Sequence, residues 1–215
     1  MDTAILFALL EADDAQGLFA ALGDIDPSTV RNANGESLYR LAVFRGREKC
    51  AAALHRRGGL GLHDAALAGD AARVEALLAN APWAIDLLSP DGWTALHLAA
   101  FFGQDDVVTA LLGRGASARL MGRAFEQNLP IHAACAGRRI GKAAFAMLIA
   151  ATGDPDAPQK QGYTALMIAA GNGFTEAVDG LLTGGADRTR KQGDGKTAAD
   201  FARERGHAEL AARLT

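Results

Sequence analysis

The sequence predicts an all-α solenoid, a linear stack of about seven helix-turn-helix repeats. One stretch, Asp91 to Gly103, recurs along the whole chain in more or less altered copies. Recurrence at a fixed interval of roughly 20–50 residues is the signature of stacked repeats. The composition agrees: alanines are many, aromatic residues make up only 6% of the chain, and 25 glycines are available to end helices.

The copies align on His97, the histidine of this stretch. They cover residues 35–42, 62–69, 129–134, 162–173 and 195–202. The positions equivalent to His97 are separated by 33, 23, 34, 35, 35 and 33 residues, and they are Phe7, Arg40, His63, His97, His132, Met167 and Asp200. Over nearly its whole length the chain resembles the ankyrin-repeat family, whose period is ~33 residues with a Thr-Pro-Leu-His-x-Ala core. The resemblance implies that each repeat has a short β-turn finger followed by two helices.

We expect one domain, residues 1–215, that includes an N-terminal and a C-terminal capping repeat. The predicted repeats span about 1–33, 34–59, 60–90, 91–119, 120–157, 158–188 and 189–215. In the first repeat, two short patterns at about 2–10 and 14–22 predict helices. The second of these is polar on one side, which suits the end of an array, where no further repeat stacks.

The interval between the second and third repeats is only 23 residues, about ten shorter than the others. The missing residues correspond to the finger, because Gly58 to Gly61 lead almost directly into the next helix. We therefore expect a junction without a finger and a notch in the row of fingers. The notch is either a place where a partner enters or a harmless deletion.

The remaining repeats follow in order. Helices are predicted at 62–68 and 71–79 in repeat 3, and Thr94 is expected to cap the first helix of repeat 4. The inward side of the second helix of repeat 4 is formed by Val107, Val108, Leu111 and Leu112. Repeat 5 is irregular, with a finger at 116–127 about two residues longer than the others and an insertion near 138–141. Repeat 6 is regular, and the last repeat has the charged outer side of a cap.

Two patterns resemble chemical sites, and each has a structural explanation. His63, His97 and His132 occupy the same position in successive repeats, which stack ~10 Å apart, whereas zinc ligands converge to ~2 Å from one ion. The family resemblance implies that these histidines brace the turns by hydrogen bonding to backbone. The segment from Gly193 to Thr197 resembles the end of a P-loop but has Arg190 where that motif requires glycine. We therefore expect no metal, no cofactor and no enzymatic activity.

Several features indicate the protein's surroundings. Cys50 and Cys135 fall at small core positions two or three repeats apart, which predicts free thiols and a reducing compartment. The N-terminus lacks the basic region of a signal peptide, and no apolar run reaches the ~20 residues of a membrane span. A net charge of −3 argues against binding to nucleic acid or an anionic membrane. We expect a cytoplasmic protein, and the excess of arginine over lysine indicates a GC-rich, bacterial source.

The resemblance implies that partners contact the finger tips and the ends of the first helices, which line the concave side. Carried onto this chain, those positions include Phe44, Arg45, Leu67, Pro90, Asp91, Trp93, Phe101 and Phe102. The apolar members predict an exposed stripe, and exposed apolar patches mark interaction sites. Arg119 and Arg123 in the finger of repeat 5 are expected to flank it. The alternative is that the rings fold inward and fill irregular stacking.

The predicted function is non-catalytic binding of a partner protein on the concave side of repeats 2–4. The alternative is an inhibitor, immunity-type or effector protein that occludes a single enzyme partner. We expect a monomer, with self-association through the apolar stripe as the alternative. Nothing in the sequence identifies the partner.

Overall fold

A computed structural model describes residues 3–123 and 127–215. Its helices follow one another in pairs, and almost no strand is present among the described residues, which confirms the all-α prediction. Fourteen α-helices in this part of the chain are consistent with about seven repeats: α1 Thr3–Glu11, α2 Ala15–Leu22, α3 Leu38–Phe44, α4 Glu48–Arg57, α5 Leu62–Ala68, α6 Ala71–Asn80, α7 Ala95–Phe102, α8 Asp105–Gly113, α9 Pro130–Gly137, α10 Lys142–Thr152, α11 Ala165–Gly171, α12 Thr175–Thr183, α13 Ala198–Glu204 and α14 Ala208–Leu214.

A hydroxyl side chain caps the first helix in four of the repeats, whereas Gly61 and Leu129 precede α5 and α9 without such a cap. Thr94 has an extended backbone, and its side chain accepts a hydrogen bond from the His97 backbone N–H, as predicted. Thr164, Thr197 and Ser37 cap α11, α13 and α3 in the same way. These caps satisfy backbone donors that have no partner inside the helix.

The helices form two rows, since first helices pack on first helices and second helices on second helices. Alanines such as Ala99 and Ala100 are fully buried between the rows, where their small side chains let neighbouring repeats approach closely. Val107, Val108 and Leu111 face the core from α8, whereas Leu112 is only partly buried. Cys50 and Cys135 are both buried with free thiols, as predicted.

The two irregular regions of the sequence are irregular in the structure. Only residues 58–61 join α4 to α5, which confirms the junction without a finger. In repeat 5, four residues separate α9 from α10, and Arg138 ends α9 in the left-handed conformation. Residues 124–126 of the longer finger lie outside the described part of the chain. Among the helices described, none is both long and apolar enough to cross a membrane.

Candidate functional site

The repeated histidines hold fingers to helices. The Nε2 atom of His97 donates to the Asn128 carbonyl at 2.9 Å, and its Nδ1 accepts from the Thr94 hydroxyl at 2.7 Å. His132 makes the equivalent bond to the Ala157 carbonyl at 3.0 Å, and His63 to the Leu87 carbonyl at 2.8 Å. The structural role expected from the resemblance is therefore present in all three repeats.

The burial of these histidines fixes their charge. Loss of hydration lowers the pKa of His97 and of His132 to about 4 and also lowers the pKa of His63. The rings are therefore neutral at pH 7, and the Nε2 of each donates to a backbone carbonyl that follows the second helix of its repeat or lies in the next finger. Within residues 3–123 and 127–215, no cluster of His, Cys, Asp or Glu has the arrangement of a metal site.

The segment that resembles a P-loop is an ordinary finger and helix start. Thr197 caps α13, with its backbone N–H and hydroxyl donating to the Asp200 carboxylate at 2.9 and 2.8 Å. These bonds, together with Arg203, hold the pKa of Asp200 at about 2. Lys196 pairs with Glu204 at 2.9 Å, which neutralises the cation that a P-loop would direct at phosphate.

Four aromatic side chains on the row of first helices touch one another in series, and we call them the aromatic stripe: Phe44, Phe102, Phe101 and Trp93. The ring of Phe44 meets that of Phe102 with 5.9 Å between centroids. Phe102 and Phe101 follow at 5.1 Å, and Phe101 and Trp93 at 5.6 Å with planes nearly perpendicular. These are favourable edge-to-face and tilted arrangements. The structure thus brings together four of the predicted site residues, from repeats 2 and 4.

The aromatic stripe is neither fully buried nor fully exposed. Phe44 is 49% exposed, and Trp93, Phe101 and Phe102 are partly buried. Phe102 packs against the core, so the alternative in which the rings fold inward applies in part to this residue. The guanidinium of Arg139 lies 5.9 Å from the Phe102 centroid in a cation–π arrangement. Arg139 is not among the binding residues predicted from the sequence, although it lies in the predicted insertion of repeat 5.

Leu67 does not belong to the stripe, and its predicted exposure is wrong. Its side chain is only 2% exposed and belongs to the core. Its helix, α5, lies between α3 and α7, and the rings of Phe44 and Phe102 meet across the interval between those two helices. The side chains of Phe44 and Phe102 therefore meet although their helices belong to repeats 2 and 4.

The predicted arginines serve different purposes. Arg45, at the end of α3, pairs with Glu11 of the first repeat while remaining about half exposed. Arg119 donates from Nε to the Thr152 carbonyl at 2.9 Å, so its guanidinium is bound to the end of α10. Arg123 has an exposed side chain, and its backbone N–H donates to the Gly92 carbonyl at 2.7 Å. Only Arg123 adjoins the finger that holds Trp93.

Pro90 and Asp91 lie at the notch. A Cβ atom added to Gly35 would lie 3.0 Å from Pro90 Cγ, so the fingers of repeats 2 and 4 meet across the position of the missing one. Asp91 pairs with Arg40, whose Nε also lies 3.9 Å from Asp64. A cavity of about 110 Å³ remains between these fingers. Arg40 was not selected from the sequence, although an arginine at the buried histidine position was a usable signal.

A second concavity of about 390 Å³ lies on the same row of helices in the last three repeats. The rings of Tyr163 and Phe201, whose centroids are 5.2 Å apart, line this concavity. The small residues Ala136 and Gly171 also line it and leave it open.

The family model for ankyrin repeats matches this chain in three copies, over residues 30–122, 62–144 and 131–215. Together these matches cover residues 30 to 215, well over half of the chain. The match agrees with the paired helices, the capped starts of first helices and the histidine braces described above. The chain therefore belongs to the ankyrin-repeat family, whose members generally act as protein–protein interaction modules.

Proposed function

We propose that this protein binds a partner protein, without catalysis, through the aromatic stripe on the row of first helices. The observation that carries the proposal is the uninterrupted ring contact from Phe44 to Trp93 on side chains that water still reaches. A soluble monomer gains little by arranging four aromatic rings on its surface. Clustered surface aromatics are instead the usual anchors of a protein interface.

The surroundings of the stripe resemble those of an interface. Arg139 lies over the ring of Phe102, and Arg45 directly follows Phe44 in the chain, so charged groups border the apolar rings. Interfaces commonly have an apolar core with a polar rim, and arginine is favoured in them. The ring-to-ring contacts also restrict side-chain rotation before a partner arrives, which lowers the entropy lost on binding.

The partly buried rings limit the affinity. Burying three aromatic side chains fully removes roughly 500 Å² from water, about 12 kcal/mol at ~25 cal/mol per Å². Here part of that area is already buried, whereas association costs ~4–15 kcal/mol. The stripe therefore supplies a centre for the interface, and tight binding requires further contacts on the neighbouring fingers.

The test compares two triple variants, each of which replaces one tryptophan and two other apolar residues by alanine. In the first, Trp93→Ala, Phe101→Ala and Phe102→Ala remove three of the four rings of the stripe. In the second, alanine replaces three exposed apolar residues elsewhere, Trp83, Leu87 and Met147, which are 74%, 47% and 41% exposed. Both are checked for folding by circular dichroism and light scattering, and both are used to capture proteins from a lysate of the source organism.

We expect a partner that is retained by the native protein and by the second variant and is lost by the first. With that partner purified, calorimetry should show at least about thirtyfold weaker binding for Phe44→Ala, since an anchor contributes ~2 kcal/mol or more. Equal retention by both triple variants would remove the stripe as the binding surface. If the partner is an enzyme, its activity with and without this protein distinguishes a scaffold from an occluding inhibitor.

A further inference from the structure

The concavity of about 390 Å³ in the last three repeats, which we call the C-terminal groove, is open where repeat 4 carries aromatic rings. Phe101 and Phe102 lie at the end of α7 in repeat 4. In repeats 5 and 6 the position of Phe101 is taken by Ala136 and Gly171, which both line the groove. Since a cavity of ~150 Å³ holds a benzene molecule, the groove has room for an aromatic side chain and the main chain beside it.

The apolar part of the C-terminal groove is accessible to a ligand. Tyr163, Phe201 and Ile168 line it, and all three side chains are only partly buried. The two rings have centroids 5.2 Å apart, and their planes are tilted by 44°. Because aromatic rings prefer offset and edge contacts with one another, a third ring can pack against this pair from the solvent side. An aromatic side chain therefore fits the apolar part of the groove.

The charged groups at the C-terminal groove are cations. Arg205, at the end of α13, lines the groove, and no Asp or Glu of the described residues does. Lys160 directly precedes Gln161, which also lines the groove. Lys191 directly precedes Gln192, whose Nε2 donates to the Gln161 carbonyl at 3.0 Å. All three cations are exposed, so an entering ligand can reach them.

The carboxylates on α13, the helix that carries Phe201, already have cationic partners. Glu204 pairs with Lys196 at 2.9 Å, and Asp200 pairs with Arg203 at 2.7 Å. In residues 3–123 and 127–215, by contrast, the three cations of the groove form no ion pair. The whole protein has a net charge of −3, so the groove is a positive region on an acidic molecule. Charge complementarity therefore favours an acidic ligand.

Uncharged polar groups in the C-terminal groove suit a peptide backbone. Asn172 lines the groove, and its Nδ2 donates to the Cys135 carbonyl at 3.4 Å, which leaves its side-chain oxygen to accept. Gln161 is exposed and carries both a donor and an acceptor. A peptide offers an N–H and a carbonyl at almost every residue, whereas a phosphodiester group only accepts. The groove therefore matches a peptide better than a nucleic acid.

We propose that the C-terminal groove binds an acidic segment of a partner protein. One aromatic side chain of the segment packs against Tyr163 and Phe201, and carboxylates on either side of it pair with the three exposed cations. Five extended residues span ~17 Å, which places carboxylates on both sides of the ring. The groove belongs to the last three repeats and is a second site beside the aromatic stripe of repeats 2 and 4. That a protein supplies the segment rests on the proposed function, whereas binding of an acidic peptide does not.

The test uses a dye-labelled peptide with blocked ends, Glu-Asp-Phe-Asp-Glu, titrated with the full chain and followed by fluorescence polarisation. We expect saturable binding with a dissociation constant of roughly 100 μM, because one ring and a few exposed ion pairs must offset the cost of association. The uncharged peptide Gln-Asn-Phe-Asn-Gln and the ringless peptide Glu-Asp-Ala-Asp-Glu should each bind at least about tenfold more weakly. Raising the salt from about 0.05 to about 0.5 M should weaken the acidic peptide about fivefold.

Two pairs of variants locate the peptide. Ala136→Phe places a ring in the groove from an exposed alanine of α9, and Ala143→Phe makes the same change at an exposed alanine of α10 that does not line the groove. Arg205→Glu reverses a charge at the end of α13, and Arg56→Glu does so at an exposed arginine in the last turn of α4. Binding should weaken at least about tenfold in the first member of each pair and stay unchanged in the second. Circular dichroism checks that all four fold.

The absence of saturable binding, or equal affinity for the charged and uncharged phenylalanine peptides, would overturn the proposal. Native affinity in both Ala136→Phe and Arg205→Glu would overturn it by placing the peptide elsewhere. A thymidine oligonucleotide of the same length that binds more tightly than the acidic peptide would overturn it in favour of single-stranded nucleic acid. None of these measurements involves the stripe or its partner, so the two proposals fail separately.

Discussion

His97 and His132 each make two ring hydrogen bonds that the local backbone cannot provide for itself. In His97 the two ring nitrogens join Thr94, at the start of its own helix, to the carbonyl of Asn128 in the next finger. Removal of the ring therefore leaves a buried carbonyl without a donor, at a cost of ~1–3 kcal/mol. The same geometry makes the protonation state of the ring a determinant of stability.

The stability of the protein should fall as the pH falls from 6.5 to 4. His97 and His132 have pKa values of about 4 in the folded protein and ~6.5 when unfolded, so the unfolded chain binds more protons in this window. Each ring should contribute a loss of roughly 2–3 kcal/mol in the free energy of unfolding by pH 4.5. Urea unfolding at a series of pH values measures it. His97→Gln should remove about half of the slope, and an unchanged slope would contradict the assignment.

Leu67 was predicted to be exposed and is buried in the structure, so its contribution to stability tests which is right. Leu67→Ala should lower the free energy of unfolding by about 2–4 kcal/mol, because the side chain is buried and its removal leaves a cavity. Leu87→Ala, at a leucine that is 47% exposed, is the control and should change it by less than ~1 kcal/mol. Similar small effects for both leucines, measured by urea unfolding, would restore the original prediction that Leu67 is on the surface.

At the scale of the elements, the ends of the first helices determine how closely repeats stack. Gly103 ends α7 with φ +70°, and a Cβ there would collide with the carbonyl oxygen of Arg139 in the next repeat. Gly46 has a similar conformation, φ +65°, after α3, but an added Cβ would meet nothing within 4 Å. The two glycines therefore share a backbone requirement and differ in whether a neighbouring repeat is close.

Substitution of each glycine by alanine separates the cost of the left-handed backbone from the cost of the close contact with the next repeat. Gly46→Ala should cost ~1–2 kcal/mol, the usual penalty of a left-handed conformation with a side chain. Gly103→Ala should cost at least about 3 kcal/mol, because α7 and the turn after α9 must also move apart. Thermal and urea unfolding provide the comparison. Equal costs would show that the close approach to Arg139 is not maintained in solution.

At the scale of the molecule, the array is a one-dimensional stack in which repeats 2 and 4 also contact each other. Repeats in such an array normally contact only their neighbours. Across the notch, however, Arg40 of repeat 2 pairs with Asp91 of repeat 4. This pair joins the first two repeats to the regular part of the stack, where α3 and α5 otherwise share only a small contact.

Breaking this pair should loosen the N-terminal repeats. Asp91→Ala leaves a buried guanidinium with only the more distant Asp64, at an expected cost of about 2–3 kcal/mol. Asp179→Ala removes an exposed pair with Arg213 and should cost less than ~1 kcal/mol. Native-state hydrogen exchange should show faster exchange in α1–α4 than in α11–α14 for the first variant. A uniform increase along the chain would contradict the role of Asp91 as a local connection.

The sequence by itself determined the repeat architecture, the helix start at Thr94 and the junction without a finger, and the family resemblance implied the bracing histidines. These features depend on residues within one period of each other, so a local pattern is sufficient to predict them. The tertiary structure alone decided that Leu67 is covered, that Arg119 is bound to α10, and that Arg40 meets Asp91 in a notch with one unused donor. Each of these outcomes depends on packing between residues far apart in the chain, which a local sequence pattern does not contain.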